Sequence, residues 1–360
     1  MTQMPSIART DIPGIQYLRG LAALMVVVFH MSYQLSRIYP LYQVDTLASG
    51  VDIFFVISGF VMIYSTNGGS RFSPSAFMLN RVVRIAPLYW AATFLTIFAI
   101  IFAPGLVKTA QLAFPHALLS LLFIAAPNPV GLHISPLVVV GWTLNLEMFF
   151  YLIFAGAIAL GRRSSSRVGT YVLTALCALA IAGLILRVQG VAGFYVNPLL
   201  LEFAYGIVLA MVYRRSPRVW PRWAAWLGLA VILVLVLPPE GDTTFRCFRY
   251  GLPATLLVML ATYVNLPRWR LPHRLGDISY SLYISHFFTL SAFAQIWRKL
   301  PKGHVETNII SFYAVGTVCA VIVAYCCWRW VETPLTALAK RLLTAWHGHR
   351  ADKAAATSRT

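Results

Sequence analysis

The chain has 360 residues, of which 59% are hydrophobic and 11% are charged, and its mean hydropathy is +0.72. A soluble domain of this length needs a polar surface over its core, so this composition excludes a soluble globular protein. The formal net charge of +18 comes from basic residues in short clusters between apolar runs. That pattern is typical of the cytoplasmic loops of a membrane protein and argues against a nucleic-acid-binding protein.

Long apolar runs recur from residue 15 to residue 331, and they lack the alternation of β-barrel strands. They predict an all-α polytopic membrane protein, a bundle of about ten transmembrane helices with both termini in the cytoplasm. This orientation puts most of the 29 Lys and Arg residues on the inner side, as the positive-inside rule requires. The predicted spans are 15–36, 47–66, 82–104, 137–160, 169–188, 196–213, 223–238, 248–265, 275–297 and 309–331.

Three segments divide the chain in this interpretation. Residues 1–12 form a cytoplasmic N-terminal segment, 13–337 form the membrane domain, and 338–360 form a basic cytoplasmic tail predicted to be disordered. The apolar stretch 111–126 is short for a span, and it predicts a re-entrant or an interfacial helix within an outer loop. The five cysteines are scattered and have no metal-ligand spacing, so no metal site is predicted.

The first predicted span carries two ionisable residues, Arg19 and His30. They are eleven residues apart, which is about three helical turns, so both lie on one face and roughly 16 Å apart along the axis. A buried ionisable residue within a membrane span indicates a functional site. A hydrogen-bonded packing role for a lone histidine is the alternative.

Other ionisable residues fall at a similar depth on other spans. Glu147 and His286 lie near the middle of the fourth and ninth spans, and Asp52 lies in the second span, closer to the outside. These groups can converge only around a polar cavity, and imidazoles with carboxylates suit general acid–base chemistry. The same cavity would suit a proton-coupled transporter. Ser58 lacks the surrounding motif of a nucleophilic serine and is interpreted as a helix-packing residue.

The predicted cytoplasmic face also has a charge pattern. Arg81 and Arg84 are one helical turn apart, and two such guanidinium groups can bind phosphates, although plain anchoring by positive residues is the alternative. Glu332 falls at the same face and could pair with one of these arginines. On the outer side, Glu202 is predicted to pair with Arg187.

Six stretches of the sequence, in order, together resemble the acyltransferase-3 family of integral membrane acyltransferases, and most closely the bacterial exopolysaccharide O-acetyltransferases. The resemblance covers about residues 13 to 337. The stretches are "IQYLRGLAALMVVVFH", "GVDIFFVISGFVM", "RVVRIAPLYW", "WTLNLEMFFY", "ISYSLYISHF" and "VETPL".

The resemblance implies a ten-helix domain in the bacterial inner membrane that moves an acyl group, commonly acetyl, from acyl-CoA to a sugar hydroxyl. The acceptor would be a lipid-linked or exported glycan, with acyl-CoA as a co-substrate and no permanently bound cofactor. His30, with Arg19 in an Arg-x10-His motif, matches the residue held to be catalytic. The other matching positions are Arg81 and Arg84 for acyl-CoA, Asp52 and Glu147 as groups that could orient the imidazole, and Ser279, Tyr280, His286 and Glu332 for the acceptor or for structure.

Two features bear on this expectation. Some family members carry a fused periplasmic domain, and its absence here implies direct delivery to a glycan at the membrane or a separate polysaccharide assembly protein as partner. In "WTLNLEMFFY", Thr143 keeps the hydroxyl of the family pattern, whereas Met148 replaces an acidic residue. Two rival classes stay open: a glycan or lipid transporter or flippase that makes no bond, and a non-catalytic partner in polysaccharide assembly.

Overall fold

A computed structural model describes residues 12–40, 47–66, 73–106, 110–131, 133–161, 164–217, 219–237, 245–300 and 304–357. The N-terminal residues 1–11, with most of the predicted N-terminal segment, lie outside them. The described residues contain α-helices and no strand. The helices are α1 Pro13–Ser36, α2 Gly50–Thr66, α3 Pro74–Phe102, α4 Phe114–Leu121, α5 Trp142–Leu160, α6 Ser165–Leu186, α7 Gly190–Tyr195, α8 Leu200–Arg215, α9 Ala225–Val236, α10 Arg246–Arg249, α11 Gly251–Tyr263, α12 Arg270–Asp277, α13 Ser279–Trp297, α14 Val305–Cys327 and α15 Thr333–Thr357.

Local sequence explains where two of the long helices begin. Pro13 and Pro74 stand in the first turns of α1 and α3, where a missing backbone N–H costs nothing. Ser73 caps α3 because its Oγ accepts a hydrogen bond from the N–H of Ala76 at 3.2 Å. These signals place the start of α3 eight residues before the predicted span, which began at residue 82.

The chain is a multi-pass membrane protein. Each of the ten predicted spans coincides with one helix: α1, α2, α3, α5, α6, α8, α9, α11, α13 and α14. Six helical segments of the described chain are long and apolar enough to cross a membrane, namely Pro13–Ser36, Pro74–Phe102, Val139–Leu160, Ser166–Leu186, Gly190–Arg215 and Val305–Ala345. The total of ten crossings and the cytoplasmic location of the termini stay predictions.

Helix α2 lies at the centre of the bundle and packs most closely against α8. Gly59 of α2 faces the backbone carbonyl of Phe203, and Gly206 of α8 faces the carbonyl of Val56. A Cβ at either glycine would overlap that carbonyl, so only glycine permits this approach. The close contact holds the inward face of α2 in a fixed position, where it lines the cavity described below.

The short outer segment predicted as re-entrant or interfacial contains α4, which has eight residues and cannot span a membrane. Its buried face is fastened to the following loop. The imidazole of His116 is hydrogen-bonded to the carbonyl of Ser135 at 2.9 Å, and the N–H of Leu137 donates to Ser120 at 3.0 Å. Helix α4 is therefore part of a folded loop between α3 and α5.

The opposite end of the bundle presents exposed tryptophans. Trp223, Trp226, Trp269 and Trp330 expose between 57% and 72% of their surface. Tryptophan is enriched where a membrane meets water, so these side chains mark one interface. They lie at helix ends that the charge pattern assigns to the cytoplasm. Helix α15 extends from this end through Thr357, into the segment whose disorder stays a prediction.

Candidate active site

A cavity of about 760 Å³ lies inside the bundle. Its lining on α2 runs from Val51 to Ser65, fourteen residue steps, which corresponds to about 21 Å of helix. Most of its polar lining residues lie at one end of the bundle, where α1 and α3 begin and where α2 and α8 end. The side chain of Arg84 is 42% exposed there, so this end communicates with solvent. The charged residues lining the cavity are Arg19, Arg81, Arg84, Glu147 and Arg214.

Arg19 and His30 lie on the same side of α1, as the eleven-residue spacing predicts. Arg19 lines the cavity and donates a hydrogen bond to Gln16 Oε1 at 3.3 Å. His30 lies about three turns deeper, and its Nδ1 is 2.9 Å from the carbonyl oxygen of Val26. The face of α1 thus connects the solvent-facing end of the cavity with the interior of the bundle.

His286 lies against His30, with ring centroids 4.9 Å apart. The convergence of the two predicted imidazoles is therefore observed. Tyr283 lies 5.9 Å from the ring of His286 and also lines the deep end of the cavity, together with Phe54. The histidine pair sits directly behind these two aromatic rings.

Glu147 lines the cavity and accepts hydrogen bonds from two hydroxyl groups. Ser58 donates to Glu147 Oε1 at 2.7 Å, and Tyr151 donates to the same oxygen. Ser58 was interpreted as a packing residue, so its contact with Glu147 adds it to the site. Neither His30 nor His286 forms a hydrogen bond with Glu147 or with any other described carboxylate.

Arg81 and Arg84 both line the cavity from α3, as their spacing predicts. Arg81 lies over the rings of Phe77 and Tyr151, at 5.6 and 5.9 Å, and its buried Nε has no hydrogen-bond partner among the described residues. Arg84 lies 5.8 Å from the ring centre of Tyr280. Stacking holds both guanidinium groups in place beside the cavity.

Glu332 is paired with Arg84, which confirms one of the sequence alternatives. Arg84 Nη1 is 2.8 Å from Glu332 Oε1, and Ser281 donates to Oε2 at 2.7 Å. Glu332 lies in a π-helical turn, Trp328–Glu332, between α14 and α15. Such turns are frequent at functional sites, and this one carries a buried carboxylate that holds Arg84.

Ser279 and Tyr280, at the start of α13, also line the cavity. The Ser279 hydroxyl is buried and has no hydrogen-bond partner within the described part of the chain. Tyr280 donates its hydroxyl to the carbonyl of Ile85 at 2.7 Å, which connects α13 to α3. Ser279 is therefore available to a ligand, whereas the Tyr280 hydroxyl is engaged in structure.

Asp52 does not join the histidines. Its two oxygens accept bonds from Arg246 Nε at 3.0 Å and Arg246 Nη2 at 2.6 Å, and its side chain is fully buried. Burial by itself lowers the pKa of Arg246, but the Asp52 carboxylate raises it above its ordinary value. Asp52 therefore ties the first turn of α2 to α10, and the structure gives it no contact with an imidazole to orient.

The predicted Glu202–Arg187 pair is wrong. Glu202 is fully buried beside the Asp52–Arg246 pair, and its carboxylate oxygens have no hydrogen-bond partner among the described residues. Arg187 instead ends α6 in a left-handed backbone conformation with φ of 48°. Proximity along the predicted outer loop did not determine the partner, because packing between α8 and α2 turns Glu202 inward.

Three polar residues that line the cavity were not among the predicted site residues, namely Thr143, Arg214 and Tyr283. Tyr283 shares a hydrogen bond of 2.7 Å with Thr143 and donates to the carbonyl of Val140 at 2.8 Å, which fixes its ring at the deep end of the cavity. Arg214 lines the solvent-facing end from α8. Tyr283 lies three residues before His286, about one helical turn away on the same face. That spacing is the sequence signal that could have identified Tyr283.

The structure thus defines an all-helical membrane protein with a cationic cavity whose deep end is lined by Tyr283, the ring neighbour of the buried histidine pair. The chain belongs to the acyltransferase-3 family, because the family described as "Acyltransferase domain" matches residues 12–329. It is an O-acyltransferase by class. No solved structure matches the chain.

Three curated relatives are similar over most of their lengths. The exopolysaccharide production protein ExoZ of Rhizobium meliloti is 36% identical over 272 residues, 72% of this chain and 82% of ExoZ. The putative membrane-bound transacylase BcsY of Komagataeibacter xylinus is 30% identical, over 89% of this chain and 79% of BcsY. The acyltransferase MdmB of Streptomyces mycarofaciens is 28% identical, over 79% of this chain and 80% of MdmB.

Proposed function

We propose that the protein takes an acyl group, acetyl in the first instance, from acyl-CoA in the cytoplasm. It transfers that group to a sugar hydroxyl of an exopolysaccharide or another cell-surface glycan precursor at the bacterial inner membrane. The observation that carries the proposal is the cavity, whose lining includes four arginines and one glutamate and whose deep end adjoins the histidine pair.

The charge of the cavity favours an anionic ligand that enters from the end where Arg84 is exposed. Acyl-CoA carries its phosphates at one end and its thioester at the other, joined by a long flexible arm. Guanidinium groups bind phosphates through paired charge-assisted hydrogen bonds. Arg81, Arg84 and Arg19 would hold the phosphates, while the arm follows the roughly 21 Å of lining on α2 toward the deep end.

His30 would act on the acceptor hydroxyl. In direct transfer, the hydroxyl oxygen attacks the thioester carbon, the C–S bond breaks and the C–O bond forms. His30 takes the hydroxyl proton and returns it to the sulfur of CoA. A second route, in which His30 is acylated first and the sugar then attacks it, uses the same residue. Ser279, with its unpartnered hydroxyl on the cavity wall, would contact the acceptor.

The proposed acceptor rests on the relatives. ExoZ is named for exopolysaccharide production, and BcsY is named as a membrane-bound transacylase. Sugar hydroxyls are the abundant nucleophiles of an exopolysaccharide, so they are the natural acceptors. A polysaccharide assembly protein would be the partner that presents the glycan to the membrane domain.

The test is transfer of labelled acetyl from acetyl-CoA into the membrane glycan fraction of vesicles. Wild type is compared with His30→Gln and with Ser291→Ala at matched expression. Ser291 bonds the carbonyl of Phe287 on α13 and does not line the cavity, so its variant is the control. We expect transfer by wild type and control and none by His30→Gln. Movement of glycan across the membrane without consumption of acetyl-CoA would instead indicate a transporter.

A further inference from the structure

The two buried histidines have the same hydrogen-bond arrangement on facing helices. His30 Nδ1 is 2.9 Å from the carbonyl of Val26, and His286 Nδ1 is 3.1 Å from the carbonyl of Leu282. In each case the carbonyl belongs to the preceding turn of the histidine's own helix. The Nε2 of each ring is therefore directed away from its own backbone.

A carbonyl oxygen only accepts hydrogen bonds, so each Nδ1 must carry a hydrogen. A neutral imidazole has one N–H, and the arrangement fixes both rings as the tautomer with a lone pair on Nε2. The Nε2 of His286 is buried and has no hydrogen-bond partner among the described residues. Such an acceptor is costly to leave unsatisfied in a membrane interior, which points to a partner acquired during function.

No charged side chain of the described residues competes for His286 Nε2. The titratable neighbours are Tyr33 on α1, at 6.4 Å from His30, and Tyr283 on α13, at 5.9 Å from His286. The Tyr283 hydroxyl is already occupied by Thr143 and the carbonyl of Val140. No Asp, Glu, Lys or Arg of the described chain forms an ion pair or hydrogen bond with either ring.

We infer that His286 is a positioning residue that holds the proton on His30 during transfer, a role that rests on the proposed function in its direct form. When the acceptor hydroxyl attacks the thioester, its proton moves to His30 Nε2. The resulting N–H is shared between the acceptor oxygen and the lone pair of His286 Nε2, and both ring nitrogens of His30 are satisfied. When the C–S bond breaks, the proton passes from His30 to the sulfur, and both histidines return to their starting tautomer.

The ring separation suits this role. Two imidazoles joined by an Nε2–H···N hydrogen bond have centroids about 5 Å apart, since the N···N distance is about 3 Å and each nitrogen lies about 1 Å from its ring centre. The observed separation is 4.9 Å. In the resting structure His286 Nε2 forms no hydrogen bond with a described residue, His30 included. The two rings are close enough for this bond to form once His30 Nε2 carries a hydrogen.

The test is a steady-state comparison of His286→Gln, His286→Ala and the Ser291→Ala control in the acetyl transfer assay. We expect His286→Gln to lower kcat about 100-fold or more, at the lower end of the range for positioned acid–base groups, with KM for acetyl-CoA within twofold of wild type. Added imidazole should raise the kcat of His286→Ala by about tenfold or more. A merely structural histidine would show no such rescue.

Two results would overturn the inference while the proposed function stands. One is His286→Gln with kcat within threefold of wild type while His30→Gln is inactive. The other is a trapped acyl group on His30, which would replace direct transfer. If the His286 variants do not fold, nitrogen NMR of ¹⁵N-histidine wild type in lipid decides the matter, because a hydrogen on either Nε2 in the resting protein contradicts the assignment. Absence of acetyl transfer by wild type would overturn both the function and the inference.

Discussion

The ionisable residues of the bundle fall into two groups that differ in what surrounds them. Arg19, Arg81 and Arg84 have their side chains on the cavity wall, within reach of solvent or a ligand. Asp52 and Arg246 satisfy each other at the far end of α2. In the sequence, both groups are ionisable residues within or beside predicted spans. Only the contacts separate groups that can meet a substrate from groups that hold helices together.

The arginine pair on α3 gives a prediction at this scale. Arg81→Ala combined with Arg84→Ala should raise KM for acetyl-CoA by about a hundredfold or more, because each charged hydrogen bond contributes about 1.5–3 kcal/mol and the double variant loses at least two of them. The kcat should change much less, since neither residue reaches the histidines. The measurement is KM from thiol release in vesicles. Arg341→Ala, an exposed arginine on α15 outside the cavity, is the control. An unchanged KM in the double variant would mean that the phosphates bind elsewhere.

At the scale of elements, α2 determines the form of the site. One of its faces lines the cavity, another packs on α8 through glycine, and its first turn is held by Arg246. A central helix with few polar residues has no intrinsic reason to choose one rotation about its axis. The glycine contact and the ion pair fix that rotation, and with it the direction in which Ser58 points.

The glycine contact predicts a matched pair of effects on stability. Gly206→Ala should lower the thermal unfolding midpoint, because its Cβ would overlap the carbonyl of Val56 and push α8 away from α2. Gly156→Ala on α5 has nothing within 4 Å and should be neutral or slightly stabilising, since alanine favours a helix by about 1 kcal/mol over glycine. The midpoints are measured on purified protein in detergent. Equal midpoints for the two variants would show that α2 and α8 can move apart without a loss of stability.

For the Asp52–Arg246 pair, we expect replacement of one partner to reduce the free energy of unfolding more than replacement of both. Arg246→Ala leaves a fully buried carboxylate without its partner, which should reduce the free energy of unfolding by about 3–5 kcal/mol. Asp52→Asn combined with Arg246→Gln removes both charges and should cost less. Arg298 is exposed just after α13, so Arg298→Ala is the control and should change the free energy of unfolding by less than about 0.5 kcal/mol. A double variant as unstable as the single one would assign the loss to packing.

For the whole molecule, the important property is which end of the bundle faces the cytoplasm. The solvent-facing end of the cavity, the exposed tryptophans and most basic residues lie at one end. Acyl-CoA is made in the cytoplasm, so the proposed function requires this end to face inward. The charge pattern and the cavity therefore predict the same orientation, with this end in the cytoplasm, for separate physical reasons.

Cysteine labelling tests this orientation. Leu338→Cys on α15 and His304→Cys before α14 are exposed positions at opposite ends of the bundle. In intact spheroplasts, a membrane-impermeant maleimide should label His304→Cys and leave Leu338→Cys unlabelled. Inside-out vesicles should give the reverse. The parent protein, with its five native cysteines, provides the background. Labelling of Leu338→Cys from outside would reverse the orientation and move the cavity away from cytoplasmic acyl-CoA.

Composition and residue spacing were enough to indicate the class of the protein and to identify its chemical groups. Apolar runs long enough for a membrane require helices, because lipid cannot satisfy backbone polar groups, and each predicted run coincides with a helix. The eleven-residue spacing of Arg19 and His30 placed both on one face, because helical geometry is local. The six motif stretches indicated the acyltransferase-3 family, which the match over residues 12–329 shows.

Which of these groups meet depends on how the helices pack against one another. Glu147 bonds Ser58, Glu332 bonds Arg84, and Asp52 bonds Arg246, although each lies at least 89 residues from its partner in the chain. Glu202 faces Asp52 and Arg246 instead of the nearer Arg187. Hydropathy fixes how deep a residue lies but leaves the rotation of each helix about its axis undetermined. That rotation comes from close contacts such as the one between α2 and α8, and it selects the side chains that line the cavity.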